Sequence, residues 1–416
     1  MAEVKTILVI GGGFSGLTAG IDAAEAGYNV VIVERNPYLG GRVAQLNKYF
    51  PKLCPPLCGL EINFRRIKTN PNITFYTMAE VEKVSGAPGN YDITIKLKPR
   101  YVNEKCTGCN ACAEACPVER PDEFNFGLSK TKAAYLPFDQ AFPLRYVIDD
   151  KYCKGPSCGK CKDACKYDAI ELDMKPQMIN LKAGAIVVTT GWNPYDATKI
   201  DNLGFGKVKN VITNMMMERL AAQNGPTGGK ILRPSDGKPV ETIGFVQCAG
   251  SRDENHLAFC SYICCMASMK QALYLWEQNP NAKVYVFYID IRTPGRYEQF
   301  FWKVKDNPNA TLIKGKVARV AQAENDDVIV EAEDMLTGKL IRQKVDMLVL
   351  ATGMEPSAKI NRPPVPITFN EHGFAVPDNS GILSAGCAKN PFDVAKSVQD
   401  ATGAALRAIQ RIVGGR

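Results

Sequence analysis

An α/β fold made of two parallel-sheet units, with a cysteine-rich module set into it, is what the sequence predicts. Three observations predict it. A β-branched run at residues 6–10 (TILVI) leads directly into Gly11-Gly12-Gly13-Phe14-Ser15-Gly16, a helical stretch of small residues and a second apolar strand. A similar strand–helix–strand order returns from Thr242 onward. Between the two, residues 101–182 abandon regular periodicity for closely spaced cysteines and short turns.

The first strand is read from an unbroken apolar run, the pattern of a strand covered on both faces. Residues 17–26 (LTAGIDAAEA) follow as a helix whose small side chains allow it to lie close to a sheet, and Gly27 ends it. Asn29–Val33 (NVVIV) is the next strand and closes on Glu34. Regular pattern resumes after the insert with Ala185–Thr189 (AIVVT), which runs into Thr190-Gly191. Residues 192–240 read as a loop-rich connector containing the breaker cluster Asn224–Gly229 (NGPTGG). The second unit supplies strand Thr242–Gln247 (TIGFVQ), a helix around 261–277, strand Lys283–Tyr288 and a strand pair near 328–333 and 345–350. Its last strand, Met347–Ala351, runs into Thr352-Gly353. The glycine-bounded segment Gly381–Gly386 (GILSAG) precedes a final helix from about 393 to 413.

Gly11-x-Gly13-x-x-Gly16 between a strand and a helix, with an acid ending the following strand, is the dinucleotide-binding fingerprint. Gly11 permits the tight turn, Gly13 lets a pyrophosphate approach the backbone, and Gly16 lets helix and strand pack closely. The helix N-terminus then faces the phosphate charge. Glu34 is placed to accept hydrogen bonds from ribose hydroxyls. FAD is expected rather than NAD, because the motif is N-terminal, a Gly40-Gly41-Arg42 loop follows the second strand, and the chain returns twice with strand-plus-Thr-Gly endings. Gly381–Gly386 before a helix resembles the segment that touches the flavin in two-dinucleotide-domain flavoproteins, although Cys387 stands where those proteins usually carry aspartate. The candidate cofactor contacts are therefore Gly11, Gly13, Phe14, Ser15, Gly16, Glu34, Arg35, Gly41, Arg42, Thr190, Gly191, Thr352, Gly353 and Gly386. After strand TIGFVQ comes Cys248-Ala249-Gly250-Ser251-Arg252-Asp253, which lacks the fingerprint, so no nicotinamide site is expected there.

The chain has 15 cysteines. Cys106-x2-Cys109-x2-Cys112-x3-Cys116-Pro117 is the bacterial ferredoxin run, in which the fourth cysteine of each run ligates the other cluster. By that rule Cys106, Cys109, Cys112 and Cys165 hold one [4Fe–4S] cluster, and Cys153, Cys158, Cys161 and Cys116 the other. The second run departs from the pattern: it reads C-x4-C-x2-C-x3-C, with Lys166 in place of proline. Thiolates also bind zinc, but four cysteines at these intervals favour iron–sulfur. A third set, Cys248, Cys260, Cys264 and Cys265, fits no common rule. Adjacent Cys264 and Cys265 diverge by about 100° on a helix, and spacing alone leaves the set open between a metal site and buried thiols. Cys54 and Cys58 stay open between redox-active, ligating and structural roles.

Composition is that of a globular protein, 45% hydrophobic, with a formal net charge of +8. That charge suits an acidic partner or an anionic surface, or is simply spread over a large soluble surface. Cysteines in tight runs indicate a reducing compartment. The opening MAEVKTILVIGGG has no signal-peptide pattern, and no apolar run is long enough to span a bilayer as a helix. No basic stripe interleaved with aromatics points to nucleic acid. His256 and His372 lack partners at metal spacing, and nothing supports hydrolase chemistry.

Three tracts carry a resemblance: CAGSRDENHLAFCSYICCMASMKQAL, KCTGCNACAEACPVERPDEFNFGL and NPYLGGRVAQLNKYFPKLCPPLCGLEINF. Together they resemble the A-type flavin subunits of the heterodisulfide reductase family. The resemblance implies that Cys248, Cys260, Cys264 and Cys265 hold a third [4Fe–4S] cluster near the FAD. It also implies that Lys270 is a catalytic cation at the reactive flavin edge, the alternative being a solvated helix lysine. The tract FPKLCPPLCGLEI, and a chain that ends after its final helix without a further ferredoxin module, are most similar to the branch serving quinone-interacting membrane-bound oxidoreductase complexes of sulfate reducers. What that resemblance implies is an electron-transfer subunit with three partners: adenylylsulfate reductase, a haem-containing membrane subunit, and a second flavin/iron–sulfur subunit. It places the chain in the cytoplasm, attached peripherally to the inner face of the membrane through those subunits. The soluble heterodisulfide-reductase type, with or without electron bifurcation, is the alternative.

The fold class expected is thus an FAD-binding, Rossmann-type, two-dinucleotide-domain flavoprotein with an inserted α+β ferredoxin-like module. Residues 1–100 form the first part of the FAD domain, 101–182 the insert and 183–240 the FAD domain's continuation and connector. A degenerate second Rossmann-like domain spans 241–340, and 341–416 returns to the FAD domain.

Overall fold

The computed structural model describes residues 4–50, 52–376 and 381–414. The chain forms two compact units, Met1–Trp192 with Pro356–Arg416, and Asn193–Glu355.

In the first unit, β1 (Thr6–Ile10) is followed by α1 (Phe14–Glu25), β2 (Asn29–Glu34), α2 (Pro56–Thr69) and β3 (Ile73–Thr77). After the insert comes β4 (Ala185–Val188). The five-stranded sheet runs Leu383–Ser384, β4, β1, β2, β3, and its pairs are parallel. Ile7, Leu8 and Val9 are at most 1% exposed, which is why the strand reads as an unbroken apolar run. On one face, Ala19 and Ala23 of α1 share a core with Ala401, Ala404 and Ala408 of the C-terminal helix, Val394–Ile412. Small side chains at these positions let two helices and the sheet approach closely. The other face meets an antiparallel sheet of Ala79–Ala87, Asn90–Leu97 and Gln177–Ala183, with Leu8, Ile10, Ile93 and Ile95 in one core.

The insert joins two neighbouring strands of that antiparallel sheet. Leu97 pairs with Gln177, so the chain leaves and re-enters at the same place and the host fold is not interrupted. Residues 177–182, expected in the insert, therefore belong to the host sheet. The insert has its own core of Val102, Tyr146, Ile148 and Ile170 with Cys112 and Cys161. It is also fixed to its host. Tyr38 meets the ring edges of Phe124 and Phe138, and Phe64 stacks on Phe142 with centroids 4.9 Å apart. Arg100, buried at the seam, donates to the carbonyls of Tyr146 (2.9 Å), Pro37 (2.9 Å) and Arg145 (2.6 Å). Burial pulls its guanidinium down to about 9.

The second unit repeats the plan. Its elements are β5 (Val211–Thr213), α3 (Asn214–Ala221), β6 (Thr242–Ala249), α4 (Cys264–Gln278), β7 (Lys283–Tyr288), β8 (Ala310–Lys314) and β9 (Met347–Thr352). The strand order is β5, β9, β6, β7, β8, again with parallel pairs. A three-stranded antiparallel sheet, Val317–Gln322, Val328–Asp334 and Lys339–Val345, accompanies it. This unit begins at Asn193 rather than at 241. The stretch read as a loop-rich connector supplies the edge strand β5, and α3 buries Met215, Met217 and Leu220. Thr213 caps that helix, its hydroxyl accepting from the Met216 amide at 3.3 Å.

Candidate functional site

The glycine turn is built so that side chains are excluded. Gly11 has φ +111, and a Cβ there would lie 2.4 Å from the Thr189 carbonyl oxygen. At Gly16 the clash would be 1.8 Å, with the Gly11 oxygen. Gly13 is different: only Gly41 Cα comes within 4 Å, at 3.8 Å, so the space beside it is open. Gly13 caps α1 without any side-chain acceptor, and no acidic residue sits in the first turn. The first amides of α1 therefore keep their donors for an anion. Gly40 bridges Gly13, which brings Gly41 and Arg42 to the turn. Arg42 donates to the Trp192 carbonyl (3.3 Å) and to Gln45 Oε1 (3.1 Å), and burial lowers its pKa.

Glu34 is 5% exposed at the end of β2. Its two oxygens accept from the amides of Gly12 (2.7 Å) and Asn36 (2.8 Å). Burial nevertheless holds its carboxyl above the ordinary range, with those hydrogen bonds pulling the other way. Arg35 beside it is exposed. Thr189 ties the turn down through its hydroxyl, which donates to the carbonyls of Ile10 (3.0 Å) and Gly11 (2.8 Å). The next hydroxyl, Thr190 Oγ1, is buried with no partner among the described residues, as a group awaiting a ligand would be. Gly386 comes to the same turn: a Cβ there would lie 2.1 Å from Ser15 Oγ.

Cys387 does not replace the missing aspartate. Its thiol donates to the Phe392 carbonyl at 3.4 Å, and burial pushes it up to about 11. A carboxylate reaches Gly386 from elsewhere: Asp400 on the C-terminal helix accepts from the Gly386 amide at 3.0 Å and from Lys389 Nζ at 2.7 Å. Sequence reasoning missed Asp400, because only the packing of that helix brings it to the loop.

In the insert, Cys116, Cys153, Cys158 and Cys161 line one cavity, with Pro117, Lys154 and Gly159. This is the crossed set expected from ferredoxin spacing. Cys106, Cys109 and Cys112 form the neighbouring group. Burial and then the Cys106 thiol push Cys112 up to about 12, and Cys165 packs in the same core. Backbone amides of Gly155 and Ala169 donate to the sulfurs of Cys153 (3.3 Å) and Cys165 (3.4 Å). Among the described residues no three Cys, His, Asp or Glu side chains form a group that would hold a single ion. A four-iron cluster spreads its thiolates further, since each sulfur binds a different iron.

The third set lies in the second unit, at the C-terminal ends of β6 and β9. Cys248 has φ +55, and α4 begins at Cys264. Burial drives Cys264 well above the ordinary thiol range, and charge on Cys248, Cys265 and Cys260 adds to it, so all four thiols share one neighbourhood. Burial also raises Cys265, to about 11. Two arginines that sequence reasoning missed stand beside this set: Arg252 hydrogen-bonds Cys248, and Arg292 is held above its usual value chiefly by Cys260. Thr352 and Gly353 belong here too. Cys264 Sγ faces the Thr352 carbonyl at 3.8 Å, and a Cβ on Gly353 would meet Ser251 Oγ at 2.3 Å.

Lys270 is not a solvated helix lysine. It is 4% exposed on α4 and pairs with buried Glu218 at 3.1 Å. Glu218 also accepts from Gln271 (2.7 Å) and Tyr274 (3.2 Å). Cys54 and Cys58 flank the start of α2, Cys58 exposed. Tyr49 lies against both, and its ring is 6.3 Å from that of Phe14.

Such a turn, cradle and insert define a flavoprotein of the two-dinucleotide-domain class that carries a ferredoxin module. A family model described as FAD dependent oxidoreductase matches residues 6–56, and one described as 4Fe-4S binding domain matches residues 99–119. The fold is that of thioredoxin reductase from T. acidophilum (TM-score 0.52, 13% identity, 99% of this chain and 100% of that one). It is also that of the Lactococcus lactis enzyme (TM-score 0.54, 12% identity, 98% and 99%). Within the class, the chain is similar over nearly its whole length to the A-type iron–sulfur subunits of heterodisulfide reductase. It is 40% identical over 422 residues to that subunit of the CoB–CoM heterodisulfide reductase of Methanocaldococcus jannaschii, covering 96% of this chain and 63% of that protein. It is 37% identical over 423 residues to the corresponding subunit of the H2:CoB-CoM heterodisulfide,ferredoxin reductase of Methanothermobacter marburgensis, covering 98% and 64%. The chain thus spans less than two thirds of the length of these relatives. No helix among the described residues is long and apolar enough to cross a membrane.

Proposed function

We propose that this chain is the FAD and iron–sulfur electron-transfer subunit of a multisubunit oxidoreductase, holding FAD and three [4Fe–4S] clusters. The observation that carries the reading is that one compact unit combines the open glycine cradle with a cavity lined by Cys116, Cys153, Cys158 and Cys161. FAD supplies two-electron chemistry and the clusters one-electron chemistry. The residues around them bind and tune. The first-turn amides of α1 face the pyrophosphate, and Glu34 holds the ribose. Thr190 Oγ1 takes a flavin-side contact with Gly191 beside it. Phe14, Ser15, Gly386, Gly41 and Arg42 close the cradle, and Arg35 borders it. In the second unit the third cluster takes Cys248, Cys260, Cys264 and Cys265, with Arg252 and Arg292 offsetting thiolate charge. Thr352 and Gly353 are assigned to the flavin contacts through the strand endings they share with Thr190-Gly191. Lys270 is assigned to stabilise the anionic reduced flavin, with Glu218 setting its position.

For the complex, we propose exchange between a membrane quinone pool and a cytoplasmic acceptor of the adenylylsulfate reductase type. Contact with the quinone runs through two further subunits, one a second flavin/iron–sulfur protein and the other a haem-containing membrane protein, which hold this chain at the inner face of the membrane. The likeness of FPKLCPPLCGLEI to that branch supports it. A second reading, a soluble subunit of heterodisulfide-reductase type, is favoured by the names of the relatives. The test is anaerobic purification from native membranes in mild detergent, followed by addition of a quinol analogue. A co-purifying haem protein with quinol-driven reduction of flavin and clusters supports the respiratory reading. A soluble assembly inert to quinol but reactive with a disulfide or ferredoxin overturns it in favour of the second.

A further inference from the structure

Among the described residues, the buried side-chain nitrogens and oxygens without a hydrogen-bond partner fall into two groups. Arg120 Nε, Arg233 Nε and Thr190 Oγ1 make up the first. The two arginine atoms face the carboxylates of Asp149 (3.2 Å) and Asp236 (3.4 Å), and Thr190 belongs to the flavin cradle. The second group gathers in one strand–helix unit: both amide atoms of Gln247 on β6, with Ser268 Oγ and Gln271 Oε1 on α4. Gln247 is 5% exposed and Ser268 is fully enclosed. An orphaned donor in the interior costs free energy, so such a group marks the place of a partner. Cys264, Ser268 and Gln271 stand at i, i+4 and i+7 of α4, on one helix face. Val246 and Leu350 share a core with Val328 and Val330 of the antiparallel sheet, so that sheet covers one face of β6 and β9. Helix α4 packs on the same two strands from the other side. Gln247 follows Val246 along the strand and therefore points to the α4 side. The register slips at this point. Val246 pairs with Leu350 and Ala249 with Thr352, so Gln247 and Cys248 together take the place of one residue. One orphaned donor thus adjoins Cys248, and the other lies one helical turn from Cys264, with about 5–6 Å between Cβ atoms. Arg252 and Arg292 attend Cys248 and Cys260. Cys264 lies deeper, and its sulfur faces the Thr352 carbonyl at 3.8 Å, an acceptor that opposes thiolate charge.

We propose that the Gln247 amide and the Ser268 hydroxyl donate hydrogen bonds to the sulfurs of the third cluster and thereby set its reduction potential. The inference rests on the reading that Cys248, Cys260, Cys264 and Cys265 hold that cluster. Reduction adds one electron to the cluster and makes its sulfurs more negative. No covalent bond forms or breaks, and neither side chain gives up its proton. Hydrogen-bond donors hold the more negative state more strongly, so the two side chains favour reduction. The carbonyl oxygens of Gln247 and Gln271 only accept and stay outside the assignment. Gln271 is held in place by its other atom, Nε2, which donates to Glu218 (2.7 Å) and to the Asn214 carbonyl (2.9 Å).

The test is a redox titration of the anaerobic holoprotein followed by electron paramagnetic resonance, with its iron counted. The third cluster's signal is identified as the one lost in Cys260→Ser. At the wild-type midpoint of that signal, Ser268→Ala and Gln247→Leu should each lower the ratio of reduced to oxidised third cluster about tenfold, a shift of about −59 mV for one electron. The two ferredoxin-type signals keep their midpoints. In deuterated buffer, electron–nuclear double resonance on the reduced third cluster should show exchangeable couplings that weaken in each variant. Ser268→Ala removes a single oxygen that has no hydrogen-bond partner among the described residues, so it decides the matter if Gln247→Leu loses iron. An unchanged ratio in Ser268→Ala with full iron content overturns the assignment. So does an equal shift of all three clusters, the mark of a general disturbance. Wild-type holoprotein without a signal that Cys260→Ser removes overturns the assignment together with the reading it rests on.

Discussion

Replacing Gly16 by alanine tests the cradle at its tightest point. The added Cβ would sit 1.8 Å from the Gly11 carbonyl oxygen, 2.8 Å from Thr189 Oγ1 and 3.0 Å from the Gly11 carbonyl carbon. Non-bonded atoms settle roughly 1.5 Å further apart than the first of these distances. Neither obstacle can swing aside: one is backbone, and Thr189 Oγ1 is committed to the carbonyls of Ile10 and Gly11. Helix α1 must therefore move off the turn. Overpacking costs about 1–3 kcal/mol, against which the helix propensity gained by alanine returns at most about 1 kcal/mol. Gly403 is the control. It lies in the helix Val394–Ile412, where an added methyl group would have nothing within 4 Å. Gly403→Ala should raise the melting temperature by about 2–4 °C, the effect of roughly 1 kcal/mol in a unit of this size. Gly16→Ala should lower it and release flavin, read as flavin per polypeptide after anaerobic gel filtration together with a calorimetric scan. Wild-type flavin content and melting temperature in Gly16→Ala would refute the geometric reasoning.

Crossed ligation predicts that Cys116→Ser weakens or converts the cluster that also uses Cys153, Cys158 and Cys161, while Cys165→Ser affects the other; resolved cluster signals in reduced samples check which one changes. Glu34 gives a pH signature. Its folded-state pKa is raised above the ordinary 4.5, so its stabilising contribution is complete below that value and lost as pH rises through the folded pKa. Glu34→Gln removes this loss, and denaturation midpoints of variant and wild type should diverge above about pH 4.5, with the variant favoured at higher pH. A parallel pair of curves would sink that assignment. Lys270→Ala leaves Glu218 buried without its cation and should cost about 3–5 kcal/mol. The double variant Lys270→Met/Glu218→Gln, which removes both charges, should recover much of that in chemical denaturation.

Much of the molecule is legible in local sequence, because local pattern has local causes. The run TILVI is buried on both faces, and two glycines of the fingerprint, Gly11 and Gly16, are required by atoms of the turn itself or of the neighbouring strand end, while Gly13 keeps open space beside it. The ferredoxin run prescribes ligand spacing through a single turn of backbone. Other features depend on segments far apart in sequence, and these the tertiary structure alone decided. The crossed grouping of Cys116 with Cys153, Cys158 and Cys161 is the exception, since the ferredoxin spacing rule already pairs them and the shared core of the insert's two halves brings them to one cavity. The connector yields an edge strand, β5, because a neighbour, β9, supplies its hydrogen bonds from the far end of the unit. Asp400 reaches Gly386 because the C-terminal helix packs along α1, and Lys270 is turned from a surface cation into a buried one because α3 places Glu218 against it. Sequence by itself determined which chemistries this protein carries, since those reside in residue types at fixed spacing. Packing determined which of those residues meet, since only the closed fold fixes contacts between elements that no local periodicity connects.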